Sequence, residues 1–227
     1  MAKIAVIHDY LCGVGGSERV FKYITEEFTE ADVYTLAFNP SCTLPYFSKI
    51  TIRTTWLNKF VQTMSAFRWS FPVATYVMES LDLEEYDLVL TSSATVAKYV
   101  RTKKPIHVCY CYIPTRALWQ NDKYFNKSLV GFLIRPFLTY LRKRDLKAAC
   151  GVDRFISISN DSSRHIKSVY NRESEVLFSP IECEKFIFKT EKQESYLLVS
   201  RLEIWKEVEY AILAFNTLKL SLKIIGT

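Results

Sequence analysis

YLLVSRLEIWKEVEYAILAFNTLKLSLKIIGT, residues 196–227, closes the chain. Tyr196 to Val199 is apolar and β-prone, and reads as a buried strand. A basic turn with Arg201 and Lys206 follows. Apolar positions then recur at helical spacing from Lys206 to Leu218, and Leu222 to Ile225 is a second strand before Gly226. This is one strand–helix–strand crossover, with cations where a helix N-terminus can hold an anion. One crossover cannot build a parallel sheet covered on both faces. The expectation is that part of a second domain is missing from this sequence.

The same alternation runs upstream. Ile4 to Ile7 reads as a buried strand, broken by Gly13, Gly15 and Gly16. Ser17 is placed to cap a helix to about Phe28, with Val20, Phe21, Ile24 and Phe28 at helical spacing. Residues 32–38 and 50–54 are β-rich. Residues 57–78 read as an aromatic helix broken or kinked at Pro72. Strands are expected at 88–90, 106–110, 154–157 and 176–178. Helices are expected at 93–100, 129–149 (interrupted at Pro136) and 161–170. Strands alternating with helices specify an α/β fold with a doubly wound, Rossmann-like parallel sheet. The expected domains are 1–180, a polar connector 181–195, and a partial second domain 196–227.

Composition narrows the class. The chain has 227 residues, 49% of them hydrophobic and 24% charged, which suits one large or two small globular domains. A net charge of +6 fits anionic small molecules or a lipid surface and is too weak to argue for nucleic acid. The six cysteines lack the spacing of a secreted disulfide scaffold, so a reducing cytoplasm is expected. The first apolar run is interrupted by His8 and Asp9, unlike a signal peptide. No run approaches the roughly 18 apolar residues of a membrane span.

Four places could carry chemistry. Gly13–Glu18 lies between the first strand and helix, where backbone can approach a ligand; a plain tight turn is the other reading. Arg201 and Lys206 could neutralise a diphosphate, or could be solvated surface charges. Cys109–Trp119 follows a strand's carboxyl end. His107, Cys109 and Cys111 would share one strand face, but no fourth ligand at sensible spacing appears and a buried strand is the better reading. From Trp119 to Arg144 apolar and cationic residues interleave, as on surface-binding helices or on an ordinary packed helix with a basic end.

Five stretches, in order, resemble the family-4 glycosyltransferases, retaining sugar-nucleotide enzymes of the GT-B fold, notably the mannosyltransferase-like members. They are IAVIHDYLCGVGGSERV (4–20), YDLVLTSSATVAKYV (86–100), CYCYIPTRALW (109–119), FISISNDSSRHIKSVY (155–170) and YLLVSRLEIWKEVEYAILAFN (196–216). The resemblance implies an acceptor-side domain facing a donor-side domain. Gly15 and Gly16 would approach the donor, Arg201 and Lys206 would hold its diphosphate, and Glu18 and Arg116 would lie on the acceptor side. No metal or other cofactor is then required, because cations and a helix end stabilise the leaving group. Tyr112 stands where relatives carry a histidine that touches the donor sugar. The family's second-domain carboxylate motif has no counterpart in this sequence.

The expected reaction moves a sugar, with mannose as the candidate, from a nucleotide-diphosphate sugar to a glycan or lipid-linked acceptor. Peripheral contact with the inner face of a membrane fits that acceptor. The chain alone is expected to be weakly active or inactive. One alternative is a non-catalytic acceptor-binding subunit completed by a separate donor-binding chain. A dinucleotide-dependent oxidoreductase is disfavoured by the absence of GxGxxG.

Overall fold

The computed structural model describes residues 2–120, 129–187, 195–202 and 206–226. Parts of the expected connector, of the basic 119–144 segment and of the Arg201–Lys206 turn lie outside the described residues. The chain divides into two compact units, Met1–Pro180 and Ile181–Thr227.

The first unit is a seven-stranded sheet. Its strands are β1 (Ile4–His8), β2 (Asp32–Thr35), β3 (Ile52–Thr54), β4 (Leu88–Ser93), β5 (Ile106–Cys111), β6 (Arg154–Ser157) and β7 (Ser174–Val176). Their spatial order is β3-β2-β1-β4-β5-β6-β7, and every pair is parallel. The helices are α1 (Gly16–Glu27), α2 (Met64–Glu79), α3 (Arg116–Trp119), α4 (Leu129–Cys150) and α5 (Asn160–Tyr170). This is the expected doubly wound α/β fold.

Period-two alternation sends successive β1 side chains to opposite faces. Ala5 and Ile7 join Phe67, Phe71, Ala74 and Met78 of α2 in one core, while Val6 joins Phe21 of α1 in another. Right-handed crossovers explain the split. The chain steps one way from β1 to β3 and the other way from β3 to β7, so α1 lies on one face and α2 and α4 on the other.

Several local expectations are corrected. Ser17 does not cap α1; the N-cap is Gly15, and Ser17 sits inside the helix with its hydroxyl donating to Glu18 at 3.1 Å. Residues 57–78 are not one helix. A 3-10 turn (Trp56–Lys59) ends first, and Thr63 then caps α2 by accepting from the Ala66 N–H at 3.2 Å. α2 runs through Pro72 and α4 runs through Pro136. Each proline costs a hydrogen bond, but the buried faces carrying Phe71 and Ala74, and Leu141 and Ala149, hold both helices in place. The helix expected at 93–100 is only a 3-10 turn, Ala97–Tyr99. The last strand of the sheet is Ser174–Val176 rather than 176–178.

The second unit pairs β8 (Tyr196–Val199) with β9 (Leu222–Ile225) in parallel, with α6 (Val208–Leu218) between them. The expectation that β8 is buried fails: Tyr196, Leu197 and Val199 are exposed. In this unit the sheet has two strands and one helix among the described residues, too little to enclose them. Gly226 is required where it is, since a Cβ there would stand 1.8 Å from the Ser200 carbonyl oxygen.

Candidate functional site

Where strand order reverses in an open parallel sheet, the connections diverge and leave a crevice at the strands' carboxyl ends. Here the reversal falls between β1 and β4. The residues leaving β1 and β4 are polar and buried: His8, Asp9, Ser92 and Ser93.

Asp9 closes the gap between the two strand ends. Its carboxylate accepts the N–H groups of Ala94 (2.7 Å), Thr95 (2.9 Å), Val96 (2.8 Å) and Ala97 (2.6 Å), and the Ser93 hydroxyl at 3.2 Å. The loop after β4 is thus wrapped around an anion supplied by β1.

Beside it runs a chain of hydrogen bonds whose direction is fixed by chemistry. Tyr112 donates its hydroxyl to the Ser17 carbonyl at 3.0 Å, because a carbonyl can only accept. Ser92 Oγ, 2.9 Å from that hydroxyl, must then donate to it. His8 Nδ1 lies 3.1 Å from the Ser92 carbonyl and 3.0 Å from its Oγ, so Nδ1 carries a hydrogen. The relay runs His8, Ser92, Tyr112, Ser17, and ties β1, β4 and β5 to the start of α1. The Tyr112 carbonyl also accepts the Ser162 hydroxyl of α5 at 2.6 Å.

The other face of the histidine meets Glu18. His8 Nε2 is 3.9 Å from Glu18 Oε1, and both residues are buried. Burial pushes the Glu18 carboxyl up, but the nearby His8 ring, Glu18's own backbone N–H and the Ser17 hydroxyl outweigh it, so the group sits below its ordinary value. Burial holds the Tyr112 hydroxyl well above the ordinary phenol range. It therefore stays a hydrogen-bond group and does not ionise.

The glycines border this cluster. Gly15 is extended at φ −146°, and none of the described glycines has positive φ. A Cβ on Gly13 or Gly16 would meet nothing within 4 Å. Neither backbone strain nor packing within this unit asks for glycine at 13 or 16. What their small size provides is open space above the α1 N-terminus, where the N-cap is a glycine that supplies no capping side chain and the helix dipole favours an anion.

A second polar cluster supports the rim. Lys98 and Asp145 form a buried ion pair at 2.8 Å. Asp145 also accepts from Tyr99 (2.9 Å), Thr115 (3.0 Å), Trp119 (2.8 Å) and Tyr170 (2.8 Å). Burial raises this carboxyl, but the Lys98 charge and these donors bring it below its ordinary value. The cluster fixes Thr115 at the head of α3 and leaves Arg116 exposed.

Gly15, Gly16, Glu18 and Tyr112 therefore come together at the strand-order reversal, with Arg116 on α3 after β5. Arg201 and Lys206 belong to the second unit, and both are exposed. Lys206 stands ahead of α6 rather than in it; the helix N-cap is Glu207, in the left-handed region at φ 51°. His107, Cys109 and Cys111 are buried in β5, with His107 Nε2 2.9 Å from the Thr91 hydroxyl. Sequence reading missed His8, Asp9, Lys98 and Asp145 as structural centres. The signal for the first pair was present: a polar dipeptide ending an apolar strand at its carboxyl end.

No protein-family model matches the chain, and no curated protein matches it by sequence. Solved structures do. One is the lipopolysaccharide outer core galactosyltransferase WaaB without ligand, 13% identical over 98% of this chain and 59% of that one, with a TM-score of 0.50. HepE of Anabaena, solved with UDP, is 12% identical over 99% of this chain and 69% of its own, with a TM-score of 0.55. HepE with UDP-glucose is 14% identical over 100% and 69%, with a TM-score of 0.52. This chain thus spans 59% of the galactosyltransferase's length. At these identities the likeness is one of fold: the Rossmann-like parallel sheet of GT-B glycosyltransferases.

Proposed function

We propose that the protein is a retaining glycosyltransferase of the family-4 kind. It would transfer a hexose, with mannose the candidate, from a nucleotide-diphosphate sugar to a glycan or lipid-linked glycan. The observation that carries this reading is the α1 N-terminus at the strand-order reversal, whose N-cap Gly15 carries no side chain over the helix end. It is bordered by Gly13 and Gly16 and braced by the His8–Ser92–Tyr112–Ser17 relay.

In this reading the first unit presents the acceptor side. The α1 N-terminus and Gly15–Gly16 border the donor. Glu18 is held ionised beneath them and would stabilise positive charge developing on the sugar. Arg201 and Lys206 would meet the negative charge that grows on the leaving diphosphate. Tyr112, whose hydroxyl already donates to Ser17 and accepts from Ser92, would position the glycine loop rather than replace the relatives' histidine at the sugar. The HepE structures hold UDP and UDP-glucose, so a uridine donor is the first to try. No metal is invoked.

Transfer of radiolabelled sugar is the test. In an enzyme completed with the rest of the donor-side domain, Arg201→Ala and Lys206→Ala would each remove a charge-assisted hydrogen bond of about 1.5–3 kcal/mol, hence roughly 10- to 150-fold in rate. Rates within twofold of wild type for both would remove the diphosphate assignment.

A further inference from the structure

Two cysteines border the glycine loop without a part in the site described above. Cys12 stands just ahead of Gly13 and is buried; Cys42 lies in the loop after β2 and is exposed. They are thirty positions apart in sequence, and Asn39 brings them together. Leu11 and Phe38 pair as a parallel bridge, with the Leu11 N–H on the Ala37 carbonyl at 2.7 Å and the Asn39 N–H on the Leu11 carbonyl at 2.9 Å. That register sets Cys12 beside Asn39. Asn39-Pro40-Ser41-Cys42 then turns back, with the proline fixing φ at the second position of a tight turn. The Asn39 carbonyl accepts the Cys42 N–H at 3.1 Å, and its Oδ1 accepts the Ser41 N–H at 3.0 Å. The Asn39 amide donates to the Gln62 carbonyl at 3.2 Å, which pins the turn to the segment ahead of α2.

The two sulfurs have different surroundings, and these sort their roles. Cys12 Sγ donates to the Val61 carbonyl at 3.3 Å, and its sulfur also faces the Asn39 N–H. Burial first, and the neighbouring Cys42 sulfur second, push the Cys12 thiol up to about 11. A charge on Cys42 is thus felt at Cys12, so the side chains lie within electrostatic reach as well as on one turn. A buried, protonated thiol is a poor first target for an oxidant, whereas Cys42 stands in solvent. An open thiol beside a shielded one is the arrangement of an oxidised cysteine and its resolving partner.

We propose that Cys42 and Cys12 are a redox modification site, where a peroxide closes a reversible disulfide that ties the glycine loop to the 39–42 turn. Hydrogen peroxide converts the Cys42 thiol to a sulfenic acid: its O–O bond breaks, an S–O bond forms, and one water leaves. The Cys12 sulfur then attacks the Cys42 sulfur. The S–O bond breaks, and the departing hydroxide carries off the Cys12 thiol proton as a second water. Each sulfur gives up one electron and the peroxide takes both. The step withdraws the Cys12 thiol from the Val61 carbonyl and anchors the residue ahead of Gly13. A dithiol reverses it by exchange. The inference does not rest on the sugar-transfer reading.

Peptide mapping of the full chain tests it. The protein is treated with hydrogen peroxide, alkylated and cut with trypsin without reduction. Cys12 and Cys42 fall in separate tryptic peptides, residues 4–19 and 23–49. The expected result is that these two become linked, at least about tenfold faster in folded protein than in urea, and that dithiothreitol parts them. The linked protein should melt roughly 5–15 °C higher than the reduced one. Amide exchange at residues 13–16 should slow at least about tenfold. Cys42→Ser, at an exposed site, should keep the wild-type melting temperature and leave Cys12 a free thiol under the same peroxide. Cys12→Ala should stop at a Cys42 sulfenic acid that dimedone traps. Absence of the linked peptides, linkage no faster than in urea, oxidation of Cys12 in Cys42→Ser, or exchange at 13–16 unchanged by the link would each overturn the proposal.

Discussion

Replacing Asp9 with alanine should be among the most damaging single changes in the first unit. The carboxylate accepts four backbone N–H groups and one hydroxyl, all at 3.2 Å or less, in a residue that is 2% exposed. Hydrogen bonds to a charged group contribute about 1.5–3 kcal/mol each. Five of them would sum to roughly 7–15 kcal/mol, as much as a whole domain's stability, so the terms cannot be additive. Water entering the vacated space recovers part of the loss. A loss of about 4–5 kcal/mol is expected for Asp9→Ala, the upper range for removing a buried, hydrogen-bonded charge. Asp9→Asn should be nearly as harmful, because its amide group would point donors at donors. Urea denaturation followed by circular dichroism at neutral pH gives the number. Formate should restabilise Asp9→Ala but not wild type, since it can fill the place of the carboxylate. A loss below about 1 kcal/mol would refute the view that Asp9 holds the strand-order reversal together.

Two other perturbations probe the first unit. Burial lowers the His107 imidazole from 6.5 to about 4. The unfolded chain takes up a proton near pH 6.5 that the folded chain refuses, so the His107 contribution should lower stability by roughly 3 kcal/mol between pH 6.5 and 4 and is complete below that. Unfolding free energies across that range should flatten in His107→Gln; an unchanged slope would contradict this. Breaking the buried Lys98–Asp145 pair by Lys98→Met should cost about 3–5 kcal/mol, because it strands a carboxylate in the core. Adding Asp145→Leu should recover part of that loss in the same denaturation assay; a double variant worse than both singles would contradict it.

The sheet and its two faces could be read from the sequence because apolar runs of strand length alternate with stretches of helical period, as at residues 4–7 and 17–28. What could not be read depended on contacts distant in sequence. The segment 93–100 has helical spacing, yet Asp9 claims the N–H groups of residues 94 to 97 and only one 3-10 turn follows. The burial expected of Tyr196–Val199 assumed neighbouring strands that the second unit does not supply among its described residues. At the candidate site, Gly15, Gly16 and Glu18 were visible as a loop opening a helix. His8 and Ser92 are 84 residues apart, and no local pattern announces their bond. Ser17 was misread because hydroxyl capping is local chemistry, whereas Gly15 leaves the helix end open.

Binding of a nucleotide-diphosphate sugar at the α1 N-terminus is best tested with Gly16→Val. A Cβ at this position meets nothing within 4 Å and the backbone is not in the left-handed region, so the variant should keep the wild-type melting temperature. Its added methyl groups would fill the space proposed for the ligand. Titration of UDP-glucose and GDP-mannose, followed by saturation-transfer NMR, should show binding of at least one of them to wild type and at least about tenfold weaker binding to Gly16→Val. Equal binding by both proteins, or none to wild type, would contradict a donor site at this helix end.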